Sequence, residues 1–167
     1  MAAVDAFIGL GANLGDPRAA LEAAFDALAA LPESTLLQRS GVYRTAPIDS
    51  SGPDYLNAVA RLRTRLPAAA LLAHLQAIER AHGRERPYRN APRTLDLDLL
   101  LYGDERSADP LLELPHPRAH ERAFVLAPLA EIAPDLVIPG RGRIAELLVG
   151  LADQRIERMA GEPGPID

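Results

Sequence analysis

Cysteine is absent, which excludes disulfides, thiolate nucleophiles and cysteine-ligated zinc or iron–sulfur sites. Lysine is absent too, and all 18 basic residues are arginine. That removes the Walker-A lysine, the kinase strand lysine and Schiff-base chemistry. Anions must be handled by arginine, backbone N–H groups and metal. Aromatic residues are only 4% of the chain and the net charge is -5. Neither suits a nucleic-acid surface, which wants a basic stripe and stacking rings. There is no run of ~18 apolar residues and no charged-then-apolar leader. A cytoplasmic protein with no membrane partner is the expectation.

What is present is ordinary for a globular chain: 167 residues, 48% hydrophobic and 25% charged. The length predicts one domain over residues 1–160, with 161–167 as a frayed tail. Residues 4–10 read as a first strand. Asp16-Pro17 is a helix start, a capping side chain followed by a ring that fits the first helical position. Leu21, Phe25 and Leu28 follow at helical spacing. Residues 35–43 read as a second strand and 44–54 as a loop. Residues 55–64 alternate, with Leu56, Ala58, Ala60 and Leu62 on one face. Pro67 opens a second helix that turns Leu71, Leu75 and Ile78 inward. Residues 83–93 are an arginine-rich loop. Residues 94–102 are a fourth strand with Leu95, Leu97, Leu99 and Leu101 toward the core.

The order is β-α-β-β-α-β, an α+β ferredoxin-like core with an antiparallel sheet and both helices on one face. The remaining chain adds short strands near Leu111 to Leu114 and Leu136 to Ile138. It also adds helices around Leu126 to Ile132 and from Arg143.

Asp96 and Asp98 are i and i+2 on a strand, so both carboxylates point to the face opposite the leucines. Hard oxygens about 7 Å apart can share one or two Mg²⁺ ions, which also bind phosphate oxygens. Arg84, Arg86, Arg89 and Arg93 lie just before them. Arginine grips phosphate bidentately, so this pairing points to phosphoryl transfer. Gly9-Leu10-Gly11-Ala12-Asn13-Leu14-Gly15 misses the G-x-G-x-x-G spacing by one residue. It reads as a tight strand-to-helix turn, with a ligand-lining loop as the alternative. His116 and His120 have H-x-x-x-H spacing, but Pro115 and Pro117 argue against a helical zinc site. His74 and His82 are expected to be exposed. On these residues alone, a phosphohydrolase fits as well as a transferase. A non-catalytic nucleotide- or RNA-binding module is the third reading.

Several segments, taken in order, resemble one family: F-I-G-L-G-A-N-L-G-D (7–16), Y-R-T-A-P-I (43–48), P-D-Y-L-N-A (53–58), I-E-R-A-H-G-R-E-R (78–86), A-P-R-T-L-D-L-D-L-L-L-Y-G (91–103), L-P-H-P-R (114–118) and E-R-A-F-V-L-A-P-L-A-E-I-A-P (121–134). The family is 6-hydroxymethyl-7,8-dihydropterin pyrophosphokinase of folate biosynthesis. The resemblance implies that Asp96 and Asp98 hold two Mg²⁺ ions on ATP. It implies Arg84, Arg86 and Arg93 as catalytic-loop and phosphate-binding arginines. Gln76, Glu79, Arg93, His116 and Arg122 would form the nucleotide site. Thr45, Tyr55, Asn57 and Phe124 would form the pterin pocket, with Asn57 reading the polar ring edge and Phe124 stacking. Asn90 stands where many members carry a tryptophan that closes over the pterin. The implied partners are ATP and the pterin alone, with no nucleic acid, acting on a monomer.

Overall fold

The computed structural model describes residues 2–13, 15–45, 54–83 and 95–159. Five strands build most of the sheet: β1 (Val4–Ala12), β2 (Ser34–Arg39), β3 (Tyr43–Thr45), β4 (Tyr55–Thr64) and β5 (Asp96–Tyr102). Helix α1 (Pro17–Ala29) follows β1, and α2 (Ala68–Gly83) joins β4 to β5. Every pairing is antiparallel. β1 lies between β4 and β5, and both β2 and β3 pair with the far side of β4.

Helix α1 starts where expected. Asp16 Oδ1 accepts the Ala19 N–H at 3.1 Å, and Pro17 occupies the first turn. Leu21, Phe25 and Leu28 are buried on its inner stripe, each contributing about 1.5–3 kcal/mol of apolar burial. Helix α2 places Leu71 and Leu75 in the same core, and both are fully buried. These side chains meet Ala6, Ile8, Leu10 and Ala12 of β1 with Ala58, Ala60 and Leu62 of β4. The two helices therefore cover one face of the sheet. His74 and His82 of α2 are half-buried where exposure was expected.

The other face is covered by helix α3 (Ala123–Ile132), which packs Val125, Leu126, Leu129 and Ile132 against Phe7, Val59, Leu100 and Leu101. Around it lie the hairpin of β6 (Ser107–Asp109) and β7 (Leu112–Leu114) and that of β8 (Val137–Ile138) and β9 (Gly142–Arg143). A short helix α4 (Ile144–Val149) and a last strand β10 (Glu157–Arg158) complete the chain. Strand β10 pairs with β3 and extends the sheet. No helix among the described residues is long and apolar enough to cross a membrane.

Two expectations from the strand pattern are corrected. Residues 35–43 do not form one strand. The register against β4 slips between Arg39↔Ala60 and Tyr43↔Asn57, and the chain breaks at Ser40. Buried Ser40 holds the break: its Oγ accepts the Val59 N–H at 2.9 Å, and its own N–H donates to the Val59 carbonyl. Nor does Leu101 join Leu95, Leu97 and Leu99. The β1–β5 register shifts between Phe7↔Leu101 and Ile8↔Leu99. That extra residue resets the alternation, so Leu100 and Leu101 both pack under α3 and Tyr102 returns to the first core.

Candidate active site

The central strands carry a row of aligned residues. Tyr43 of β3 faces Asn57 of β4, Asn57 faces Gly11 of β1, and Gly11 faces Asp96 of β5. In the adjoining row Gly9 lies between Val59 and Asp98. Adjacent strands are about 4.8 Å apart, so Asn57 and Asp96 stand roughly 10 Å from each other across β1. All these residues belong to the face opposite α1 and α2, because their neighbours Ile8, Leu10, Leu97 and Leu99 fill the first core.

Gly9 lies within the strand expected over residues 4–10, and the strand runs on to Ala12, so Gly11 is corrected from turn to strand; both are on the site face. Among the described residues of that segment only Gly15 has a positive φ, at 68°. The absent side chains matter for space. A Cβ on Gly9 would lie 3.3 Å from Leu100 Cδ2, and a Cβ on Gly11 would lie 3.2 Å from Asn57 Oδ1. The Asn57 carboxamide thus lies across β1, where any other residue would crowd it. The alternation of Ile8, Leu10 and Ala12 with Gly9 and Gly11 was the sequence signal for this. A period of two in a glycine-bearing segment means strand rather than turn.

Asn57 is buried, and its Nδ2 donates to the Thr45 hydroxyl at 3.0 Å. Thr45 is also buried and is the Cα partner of Tyr55. Thr45, Tyr55 and Asn57 are thus brought together at one end of β3 and β4. Phe124 lies in the first turn of α3, half-buried against the second core. The Arg122 guanidinium stands 5.4 Å from its ring centroid, within cation–π reach.

Asp96 is exposed and Asp98 half-exposed. Between them the Leu97 N–H donates to Glu79 Oε2 of α2 at 2.7 Å. β5 is the sheet edge, so its outward backbone groups need partners from elsewhere. Glu79 supplies one and fixes α2 to the strand between the two aspartates. Gln76 is exposed one turn earlier on α2. On the same edge the Leu100 carbonyl accepts the His116 N–H at 2.9 Å, which brings His116 beside Asp98. The Leu114–Pro115 peptide before it is cis.

His116 Nε2 lies 4.0 Å from Asp98 Oδ1, and its Nδ1 accepts the Arg118 N–H at 3.2 Å. With Nδ1 an acceptor, the neutral ring carries its proton on Nε2, toward the aspartate. Burial holds its pKa below the usual histidine value, overcoming the opposing pull of Asp98, while Arg122 acts in the same direction as burial. His120 sits apart in a 3₁₀ turn (Ala119–Glu121), so the H-x-x-x-H pair does not form a helical zinc site. Among the described residues no group of three or more His, Cys, Asp or Glu side chains could hold a metal ion. Two carboxylates on one strand suit a cation that keeps its waters and takes further oxygens from phosphates, which is magnesium's habit. Arg84, Arg86 and Arg93 lie outside the described residues, as do Arg89, Asn90 and the 161–167 tail.

Residues 7–134 match the family model for 7,8-dihydro-6-hydroxymethylpterin-pyrophosphokinase (HPPK). The chain belongs to this family. It is 44% identical over 156 residues to a 2-amino-4-hydroxy-6-hydroxymethyldihydropteridine pyrophosphokinase of Pseudomonas aeruginosa, covering 93% of this chain and 96% of that one. It is 45% identical to the enzyme of the same name from Methylorubrum extorquens, covering 92% and 98% of the two chains. The fold is also that of a crystal structure of wild-type Plasmodium falciparum HPPK-DHPS with pterin and p-hydroxybenzoate. The TM-score is 0.69 at 15% identity, covering 90% of this chain and 43% of that longer one. The HPPK match spans all the segments that carry the aspartates, Asn57, His116, Arg122 and Phe124.

One group in the site region escaped the reading of the sequence. Glu131 of α3 accepts the Gly41 N–H at 3.0 Å and the Tyr43 hydroxyl at 2.7 Å. It also accepts Arg158 Nε and Nη2 at 3.2 and 3.1 Å. No local pattern joins these residues.

Proposed function

We infer that the chain transfers pyrophosphate from ATP to 6-hydroxymethyl-7,8-dihydropterin, giving AMP and the pterin diphosphate in folate biosynthesis. The observation that carries this is the row in which buried Asn57 and exposed Asp96 flank Gly11 on one sheet face, in an HPPK-family chain. The pterin lies at the Asn57 end and the triphosphate at the Asp96–Asp98 end. The pterin oxygen then reaches phosphorus over β1. The β1-α1-β2-β3-β4-α2-β5 order, with β1 between β4 and β5, supports reading the core as ferredoxin-like with C-terminal additions.

Asn57 offers donor and acceptor atoms to the polar edge of the pterin, beside Thr45 and Tyr55, and Phe124 stacks on the ring. Asp96 and Asp98 would hold two Mg²⁺ ions with ATP, and Glu79 orients them through Leu97. When bound, magnesium neutralises charge on the phosphate oxygens and aligns them. Gln76 and Glu79 on α2, with His116 and Arg122, border the nucleotide, and Arg84, Arg86 and Arg93 would supply charge to its phosphates. The hydroxymethyl oxygen forms a bond to the β-phosphorus. The bond from that phosphorus to the α,β-bridging oxygen breaks, AMP leaves with that oxygen, and the hydroxyl proton is released. Charge stabilisation and positioning supply the rate. The reading takes a monomer acting on two small molecules, with no membrane or nucleic-acid partner.

Product analysis by chromatography tests this. Protein, ATP and Mg²⁺ are combined with and without 6-hydroxymethyl-7,8-dihydropterin. AMP and pterin diphosphate should form one-for-one, and only with pterin present. ADP, or phosphate release without pterin, would replace the transferase reading with hydrolysis.

A further inference from the structure

Strand β3 is only three residues long, yet it carries Thr45 and backs Asn57. So short a strand has little stability of its own. Glu131 supplies what the ladder lacks. One oxygen takes the Tyr43 hydroxyl and Arg158 Nε, and the other takes the Gly41 N–H and Arg158 Nη2. Its side chain is 19% exposed, so these charge-assisted bonds are only partly screened. On the far side β10 pairs with β3, and the Met159 N–H donates to the Val42 carbonyl at 2.8 Å. Gly41 makes room for the strap, because a Cβ there would fall 2.5 Å from Arg158 Nη2. Phe124 and Glu131 are seven residues apart on α3, two turns along one stripe and about 10.5 Å from each other. A single helix thus holds the stacking ring at one end and the pocket strand at the other.

We propose that Glu131 is a positioning residue for the pterin pocket: with Tyr43 and Arg158 it fixes Thr45 and Asn57 at the spacing from Phe124 that grips the ring. The proposal rests on the assignment of Thr45, Asn57 and Phe124 to pterin. It predicts an effect centred on pterin, since Asp96 and Asp98 lie on β5 at the opposite edge of the sheet, where Glu79 of α2 bonds the backbone between them.

The test uses full-length Glu131→Gln, Tyr43→Phe and the double variant. Steady-state KM for pterin and kcat are measured, and a fluorescent ATP analogue is titrated without pterin. Each single variant should raise the pterin KM, about tenfold for Glu131→Gln. kcat should stay within about twofold, and affinity for the ATP analogue should be unchanged. The double variant should cost less than the product of the two single effects, because both changes break one shared bond. If Glu131→Gln does not fold, Tyr43→Phe and Arg158→Ala carry the same test. An unchanged pterin KM in folded variants overturns the proposal alone, as does an equal loss of ATP-analogue binding. Wild-type protein that makes no pterin diphosphate overturns the pocket assignment and this proposal with it.

Discussion

The Asn57 carboxamide and Asp96 share one row of the sheet, separated only by Gly11, whose missing Cβ would lie 3.2 Å from Asn57 Oδ1. Gly11→Ala should displace Asn57 by a few tenths of an ångström, and Gly11→Val by more. Pterin-dependent kcat/KM should fall about tenfold for alanine and about a hundredfold for valine. The melting temperature of the alanine variant should stay within about 4 °C of wild type. A valine variant with full activity would remove Gly11 from the substrate path.

Asp98 projects from the site face and leaves the leucine core untouched. Asp98→Ala should therefore abolish turnover while circular dichroism and the melting temperature remain native. Retention of more than about a tenth of the wild-type rate, ~1.4 kcal/mol in barrier, sinks the metal assignment. Activity should likewise vanish in excess chelator and return on adding Mg²⁺.

Glu79 accepts the backbone N–H of Leu97, between the same two aspartates. Glu79→Ala leaves the Leu97 N–H at the sheet edge without its carboxylate partner, a local loss of about 1–3 kcal/mol. The Mg²⁺ concentration for half-maximal rate should rise several-fold, with a smaller change in the pterin KM. An unaltered Mg²⁺ dependence would reduce Glu79 to a stability role.

Glu131 gives the fold an acid-sensitive bond. Burial pushes its carboxyl upward, but the bonds from Arg158, Tyr43 and Gly41 together outweigh this and hold its pKa below the ordinary value. The neighbouring Tyr43 hydroxyl is pushed up to about 12 by burial and by Glu131, so it remains a donor throughout. A depressed carboxylate stabilises the fold above its unfolded pKa of about 4.3 and loses that contribution as pH falls through the lower folded value. Wild type should therefore exceed Glu131→Gln by about 1–3 kcal/mol at neutral pH. Thermal melts should show the gap shrinking below about pH 4. A gap independent of pH would mean that the carboxylate charge contributes nothing.

The elements with strong periodicity were legible from the chain itself. α1 announced its cap at Asp16, β4 announced its face through alternating leucines and alanines, and β5 did so through its leucines as far as Leu99, before the register shift that moves Leu101 to the other core. The aspartate pair was legible for the same reason, because i and i+2 on a strand must share a face. Residues 35–43 failed because β-propensity says nothing of register, and the break depends on a hydroxyl contacting Val59 on another strand. The first strand was read as ending at Leu10, and Gly11 was assigned to the turn because glycine is common in turns, although Ala12 keeps the strand alternation. Strand β10 was invisible: Glu157 and Arg158 are two polar residues with no local preference for a strand. Glu131 escaped for a related reason. Its partners Gly41, Tyr43 and Arg158 lie 90, 88 and 27 residues away in sequence, and only the folded sheet brings them to one carboxylate.

The strap has a consequence for how the protein is made. Arg44 and Glu157 are 113 residues apart, so β3 leaves the ribosome long before its outer neighbour exists. At ordinary translation rates the delay is on the order of ten seconds. During it, β4 can already pair with β1 and β2, while one side of β3 stays open. An open edge invites pairing with a foreign strand, a hazard that grows with edge length. Three residues offer a poor template for such pairing, so the brevity of β3 protects the nascent chain while it waits for its own β10.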